Sequence, residues 1–462
     1  MTPAATAERI GDAGCAAKFH GVATVDYTRR LSSRARRLPS VRQAVAATAL
    51  AGIVVAGFLL AAETASAPSQ FVRWSLRFGY PHWLSGPLEG LAEPITVKGF
   101  IALSVLMYVL YLVVVGLSAT LRMSWVVTAV VALHAIFLLG PPMYLTDVFN
   151  YLGFARLDVL HGLNPYEHTL VAAPTDAAFR YVTWPDLVSP YGPLFTVSSF
   201  ALVPLGIAKG VWALKLTVTA ASLACVGLVW LIARELERPV APAIAFVGLN
   251  PLLLVYGVGG AHNDMYMLML LLAGVLLALR GRAALGAGAV VAAVAIKATA
   301  GLALPFMWLA SRDRRRVVLG AALAAAAVIV VAAIAFAGNP LSALSSFTGQ
   351  SDYAELRSFP GQVTDAILQR HVVPYEVQQV STAVFLFVFA LLLALAWRGA
   401  DWIESIGWTT LALLLTLTWI MPWYIAWLLP FAALSESARL RYATLAFGAF
   451  LLVVHLPYPP IP

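Results

Sequence analysis

The feature that most constrains this chain is a series of thirteen apolar runs, most of them separated by only a few polar residues. They lie near 44–62, 99–117, 124–140, 211–233, 240–256, 264–280, 284–298, 300–311, 317–337, 378–397, 405–421, 423–434 and 441–456. About 20 apolar residues in a helix match the hydrocarbon thickness of a bilayer. Only 11% of the 462 residues are charged and 61% are hydrophobic, against about 25% charged in a soluble domain. Such a chain cannot cover a water-facing surface. Disorder, which needs low hydrophobicity and high charge, is excluded as well. A transmembrane β-barrel would show alternating segments of about 10 residues, whereas these runs are continuous. The expected fold is an all-α polytopic integral membrane protein with about thirteen transmembrane helices.

A formal net charge of +8 invites a nucleic-acid reading, but in a membrane chain the placement of the positive residues matters more than their sum. We expect no nucleic-acid partner. Residues 1–43 are polar and include Arg29, Arg30, Arg34, Arg36, Arg37 and Arg42, and are expected to form a disordered cytoplasmic tail. The run at 44–62 is followed by Ala65-Ser66-Ala67, as after a signal peptide. Its apolar core exceeds the 7–15 residues of one, so it reads as a signal anchor. The run 194–207 is short and opens with Pro190-Tyr191-Gly192-Pro193. If it crossed the membrane fully, every later span would invert.

Arginine placement decides that point. With 194–207 re-entrant, the short cytoplasmic loops hold 12 arginines, among them Arg312, Arg314, Arg315 and Arg316. The much longer outer segments hold 8 basic residues, with Lys209 and Lys215 flanking the re-entrant run. The long loops 63–98, 141–193 and 338–377 then share the outer face, where the work of the protein is expected. Neither a 20–50-residue repeat nor the paired halves of a secondary transporter is evident, and no soluble domain is expected at either end. The sequence divides into the tail 1–43, an N-terminal hairpin with its outer loop (44–123), a membrane catalytic domain (124–456) and an extracytoplasmic tail (457–462).

The richest stretch runs from Thr146 to Pro193. Thr146 is suited to capping a helix that carries Val148, Leu152, Ala155 and Val159 on one side, with Gly162 and Pro165 ending it. This predicts an interfacial helix with Asp147 in its first turn. By position alone, Asp147 is either an acid favoured by the helix dipole or a reactive carboxylate. A second acidic site, Gly259-Gly260-Ala261-His262-Asn263-Asp264, lies at the outer end of a span, where Asp264 reads equally as a helix cap. His262 and Asp264 would be metal ligands only if Asp147 and His161 joined them in space. Lys297 lies between two short apolar runs and is either a functional cation or a snorkelling one. The aromatics of Met421-Pro422-Trp423-Tyr424-Ile425-Ala426-Trp427 fit an interfacial belt as well as a site.

In their order, the motifs Thr146-Asp147-Val148-Phe149-Asn150-Tyr151, His161-Gly162-Leu163-Asn164-Pro165-Tyr166 and Ser189-Pro190-Tyr191-Gly192-Pro193-Leu194 resemble the first catalytic loop of GT-C glycosyltransferases. Ala261 to Asp264, Lys297 with Gly301 to Pro305, and Pro422 to Trp427 narrow the resemblance. They are similar to motifs of the actinobacterial polyprenol-phosphomannose-dependent mannosyltransferases and of glycosyltransferase family 87. The resemblance covers residues 125–435. It departs in one respect, since the spans at 44–62 and 99–117 precede the catalytic loop here, whereas many GT-C enzymes place that loop after their first span.

This resemblance implies a GT-C-like membrane enzyme that transfers a sugar, mannose in the first instance, from a polyprenyl-phosphate donor to an extracytoplasmic glycolipid or cell-envelope glycan. Asp147 would be the catalytic base. Lys297, helped by Arg156 and Arg180, would hold the donor phosphate. Tyr151, His161, Asn164, Tyr166, Tyr191, His262, Asn263, Asp264, Trp423 and Tyr424 would position substrate. No cofactor is expected and a divalent metal is not required, because the leaving group is a lipid phosphate. Transfer of another sugar such as arabinofuranose, or flipping of a lipid-linked sugar, are the competing readings. A transporter should carry ionisable groups deep in its spans, while here they gather at the outer ends.

Overall fold

The structure is a computed structural model and describes residues 40–67, 81–143, 147–336, 339, 342–343 and 354–457. The tail 1–39, the cap Thr146 and the end 458–462 lie outside the described residues. Among the described residues, sixteen α-helices follow in order. They are α1 (Val41–Ser66), α2 (Val97–Leu117), α3 (Met123–Leu139), α4 (Asp147–His161), α5 (Pro193–Ser199), α6 (Gly206–Glu235), α7 (Val240–Gly248) and α8 (Asp264–Leu279), then α9 (Ala283–Val294), α10 (Ala303–Ala310), α11 (Arg314–Ala335), α12 (Phe359–Leu368), α13 (Tyr375–Trp397), α14 (Trp402–Thr416), α15 (Ile425–Leu434) and α16 (Ala438–His455). No strand occurs among the described residues. The chain is an all-α polytopic membrane protein. Among the described residues, six helical stretches are at least 18 residues long and apolar enough to cross a bilayer, with further apolar helices of 10–17 residues between them.

Every expected apolar run is helical, and the departures have local causes. The run 240–256 is split. Helix α7 stops at Gly248, Asn250 Oδ1 accepts the Leu252 and Leu253 N–H groups, and a π-helical turn spans Leu253–Val258. Pro251 follows Asn250 and disfavours helical geometry in the residue before it. The run 405–421 ends early at Thr416, leaving 417–421 non-helical ahead of Pro422.

The doubtful segment 194–207 forms α5 and a 3-10 stretch, Phe200–Leu205, with Pro204 inside it. Gly206 then takes φ +70°, a conformation open chiefly to glycine, and the chain reverses. A Cβ at Gly210 would lie 3.5 Å from the Leu202 carbonyl, where a continuous helix would separate those residues by about 12 Å. The segment therefore folds back on α6.

The bundle has two chemically distinct ends. At one, Arg238 pairs with Asp401 at 3.2 Å and Glu436 at 3.7 Å, and Arg280 with Glu235 at 3.2 Å. These belong to the arginine-rich connections. At the other end are the first residue of α8, Asp264, and the segment after α14. Helix α8 has 16 residues, which places Asp264 about 24 Å from Arg280 along the axis.

Helix α4 departs from the expected single apolar face. Every residue from Val148 to Ala155 is buried, while Val159 is 45% exposed. The loop 163–192 covers the side that would otherwise be polar. Phe149 stacks on Tyr181 with centroids 5.1 Å apart, Thr183 N–H donates to Asn150 Oδ1 at 3.0 Å, and Arg156 clasps Asp176. The N-terminal helices pack on the rest of the bundle through buried hydroxyls. Tyr111 donates to the Phe246 carbonyl and Tyr108 to that of Leu445, both at 2.6 Å.

Candidate active site

At the end of the bundle away from the arginine pairs, five distant segments meet around a pocket of about 160 Å³. Its walls are Asp147, Asn150 and Phe154 of α4, Trp184 to Tyr191 of the covering loop, Asn263, Asp264 and Lys297, and Trp419 to Tyr424 after α14. Asp147, Asn150 and Phe154 share a helix face because residues three and four apart are neighbours.

The turn between the π-helical segment and α8 is tightly built. Ala261 takes φ +55° and is fully buried, a strained conformation of the kind concentrated at functional sites. Fully buried Lys215 of α6 donates to the Gly259 carbonyl at 2.8 Å and to that of Phe137 at 3.1 Å, fastening the turn to the end of α3. A Cβ at Gly260 would lie 2.7 Å from His262 Nε2, so only glycine leaves room for that imidazole. The His262 ring stacks on Trp423 at 3.5 Å, with its Nδ1 3.5 Å from Asp147 Oδ2. Asn263 N–H donates to the Tyr151 hydroxyl at 3.3 Å.

Lys297 is brought to the same place by backbone docking. Gly192 N–H donates to the Ile296 carbonyl at 3.1 Å and Leu194 N–H to that of Ala295 at 2.9 Å. A Cβ at Gly192 would fall 2.3 Å from the Ala295 oxygen, so this approach requires glycine. Lys297 Nζ then lies 2.8 Å from Asp264 Oδ1, 4.4 Å from the Tyr424 ring centroid and 4.8 Å from that of Trp427. Trp427 Nε1 also donates to Asp264 Oδ1, at 2.6 Å. Asp264 is 1% exposed. A buried charge needs such partners to offset its desolvation, and first-turn acids are favoured by the helix dipole. Asn263, not Asp264, is the N-cap of α8, and no side-chain capping bond is made there, so Asp264 is held by its pairing with Lys297 and Trp427 rather than as a cap.

Other expected site residues lie elsewhere. Arg156 donates to both Asp176 oxygens, at 2.8 and 3.0 Å, and His161 Nε2 lies 3.0 Å from the second oxygen. Arg180 turns to Tyr181, with an amino group 2.6 Å from the hydroxyl. None of the three lines the pocket, which separates His161 from Asp147, His262 and Asp264. Among the described residues, no three His, Cys, Asp or Glu side chains cluster so as to hold a metal. Asn164 accepts the Tyr166 N–H and donates to Ser342. The Tyr166 hydroxyl in turn donates to the Tyr191 carbonyl at 2.8 Å and lies 2.9 Å from the Thr196 hydroxyl. The Asn164–Tyr166 motif thus braces the pocket wall from behind.

The sequence reading gave no role to Asn150, Trp184, Trp419 or Asp176. Asn150 was findable from its spacing of three from Asp147. The other three come into place through tertiary contacts alone.

Burial would raise the pKa of Asp176. Hydrogen bonds from Arg156, His161 and the Ala178 N–H, with the charge of Arg156, outweigh it and hold the carboxyl at about 2. An unfolded Asp titrates near 3.9, so the clasp stabilises the fold above about pH 4 and is lost as pH falls toward 2. Asp176→Asn should cost about 2–3 kcal/mol at pH 7. Its thermal unfolding midpoint should also fall less than the wild-type midpoint between pH 4 and 2. Parallel falls would show that the clasp contributes nothing.

A carboxylate, a cation and an aromatic wall thus share one pocket at one end of an all-α bundle, and the comparisons with known proteins give the class, a membrane glycosyltransferase. The chain belongs to the alpha-(1->6)-mannopyranosyltransferase family, whose N-terminal domain model matches residues 45–313. It is 29% identical over 350 residues to alpha-(1->6)-mannopyranosyltransferase A of Mycobacterium tuberculosis, covering 69% of this chain and 67% of that protein. The protein of the same name from Corynebacterium glutamicum is 34% identical over 176 residues, covering 36% of this chain and 35% of the relative. The family match includes Asp147, the 259–264 turn and Lys297, and stops before the Trp419–Trp427 wall.

Proposed function

We propose that the chain transfers mannose, with inversion to an α linkage, from a polyprenyl-phosphate donor to an extracytoplasmic glycolipid or cell-envelope glycan. The observation that carries this reading is the presence of Asp147 and Lys297 on the walls of one pocket. The acceptor hydroxyl oxygen bonds to the anomeric carbon as the bond from that carbon to the phosphate oxygen breaks. Asp147 takes the hydroxyl proton. The electron pair leaves with the lipid phosphate, whose charge faces the Lys297 ammonium. Lys297 already has Asp264 as a partner, so the phosphate shares this cation. Arg156 and Arg180, turned to Asp176 and Tyr181, have no part in donor binding. The names of the relatives favour the 6-hydroxyl of a mannoside as acceptor.

Purified full-length protein given mannosyl and arabinofuranosyl polyprenyl phosphates with a mannoside acceptor should form an α-mannosyl product only. Transfer of arabinose alone would overturn the choice of sugar. The arginine pairs at the far end support a cytoplasmic N-terminus and an external pocket under the positive-inside rule. In intact cells, Thr175→Cys should be labelled by an impermeant thiol reagent and Arg314→Cys should not. The reverse pattern would overturn this orientation.

A further inference from the structure

Helix α12 presents three chemically different faces. Pro360, Gly361 and Thr364 are buried against the bundle. Gln362, Asp365 and Gln369 form a polar side, where Asp365 pairs with His371 at 2.9 Å. Phe359, Val363 and Ile367, spaced by four, share the third face and are 45%, 40% and 72% exposed. The depth of the helix is fixed at both ends. At the first, the Phe359 ring meets Phe450 of α16 with centroids 6.1 Å apart. Phe450 lies about 7.5 Å along the axis from His455, the last residue of that span. This end of α16 is on the pocket side, since His455 Nε2 lies 3.1 Å from the Ile420 carbonyl. At the other end of α12, residues 369–374 lead directly to Tyr375, the start of α13. Helix α13 is a 23-residue apolar span with no buried residue, so lipid surrounds it.

We propose that α12 is a monotopic anchor whose Phe359–Val363–Ile367 stripe sits in the acyl-chain boundary of the leaflet on the pocket side. A helix held between the pocket-side ends of two membrane spans stands where headgroups meet acyl chains. There an apolar flank and a polar flank match the two phases that meet. Exposed Val372 and Tyr375 carry the apolar surface onward from α12 to the lipid-covered surface of α13. The anchor is also tied to the pocket. Just before α12, the Glu355 N–H donates to the Thr418 carbonyl at 2.8 Å, and Thr418 adjoins Trp419 of the pocket wall. Helix α12 therefore holds that wall at the depth of the bilayer surface, whichever sugar is transferred.

Full-length protein in phosphatidylcholine bilayers tests the anchor, with Cys15→Ser, Cys225→Ala and one bimane-labelled cysteine at a time. Labels on Val363→Cys and Ile367→Cys should be quenched by a shallow doxyl-phosphatidylcholine about threefold or more strongly than labels on Gln362→Cys and Gln369→Cys. Aqueous iodide should give the opposite order. All four positions are exposed, so an unchanged thermal unfolding midpoint should accompany each label. Iodide quenching at Val363 and Ile367 as strong as at Gln369 would put the stripe in water and overturn the anchor. Labels at Val363 and Ile367 that neither quencher reaches would show the stripe covered by protein, from this chain or a second copy, and overturn it too. Equal doxyl quenching at all four positions would sink the whole helix in the leaflet and overturn its place between the two phases.

Discussion

Asp147→Asn should lower the turnover rate by about 10²–10⁴, equivalent to about 3–5 kcal/mol of barrier, while the protein folds and binds donor as before. An alcohol is far too weak an acid to ionise near neutral pH, so the proton needs an acceptor as the new bond forms. Asparagine matches aspartate in size, retains a carbonyl toward His262 and is itself good at helix starts. Its carboxamide cannot take the proton. Single-turnover transfer and donor binding, measured on the same preparation, separate the two effects. A variant within a few fold of wild type would return Asp147 to the role of a first-turn acid.

Lys297→Ala should both abolish donor binding and destabilise the fold. The structure makes Lys297 the counter-ion of buried Asp264. Removing one member of a buried pair typically costs about 3–5 kcal/mol. The double variant Lys297→Ala with Asp264→Asn should recover most of the thermal stability, since the stranded charge is gone, and should still fail to bind donor. Donor affinity restored to within twofold in the double variant would show that the lysine serves Asp264 alone.

Much of this architecture could be read from the sequence because membrane-spanning helices need long apolar runs, and these stand out without any knowledge of packing. The fold-back at Gly206 was legible for a different reason. Arginine placement recorded it as a constraint on the whole chain. Asp147, Asp264, Lys297 and Tyr424 were legible through motifs, and the structure gathers them in one pocket. Arg156 and His161 were misplaced because a charge in a loop has no direction in sequence. Both turn to Asp176, a residue in no motif. The single-faced reading of α4 failed similarly, since a loop that covers the polar side of a helix leaves no periodicity of its own.

The pocket wall that ends at Tyr424 has a temporal consequence. Asp147 and Lys297 emerge from the ribosome long before the Trp419–Tyr424 segment, so a nascent chain carries the carboxylate and the ammonium without the indole wall and aromatic cage that complete the cavity. Asp264 likewise waits for the Trp427 indole. The catalyst therefore assembles only when the last part of the bundle docks. Chains truncated before residue 419 should insert into the membrane and remain inert, so that unfinished copies cannot consume the sugar donor.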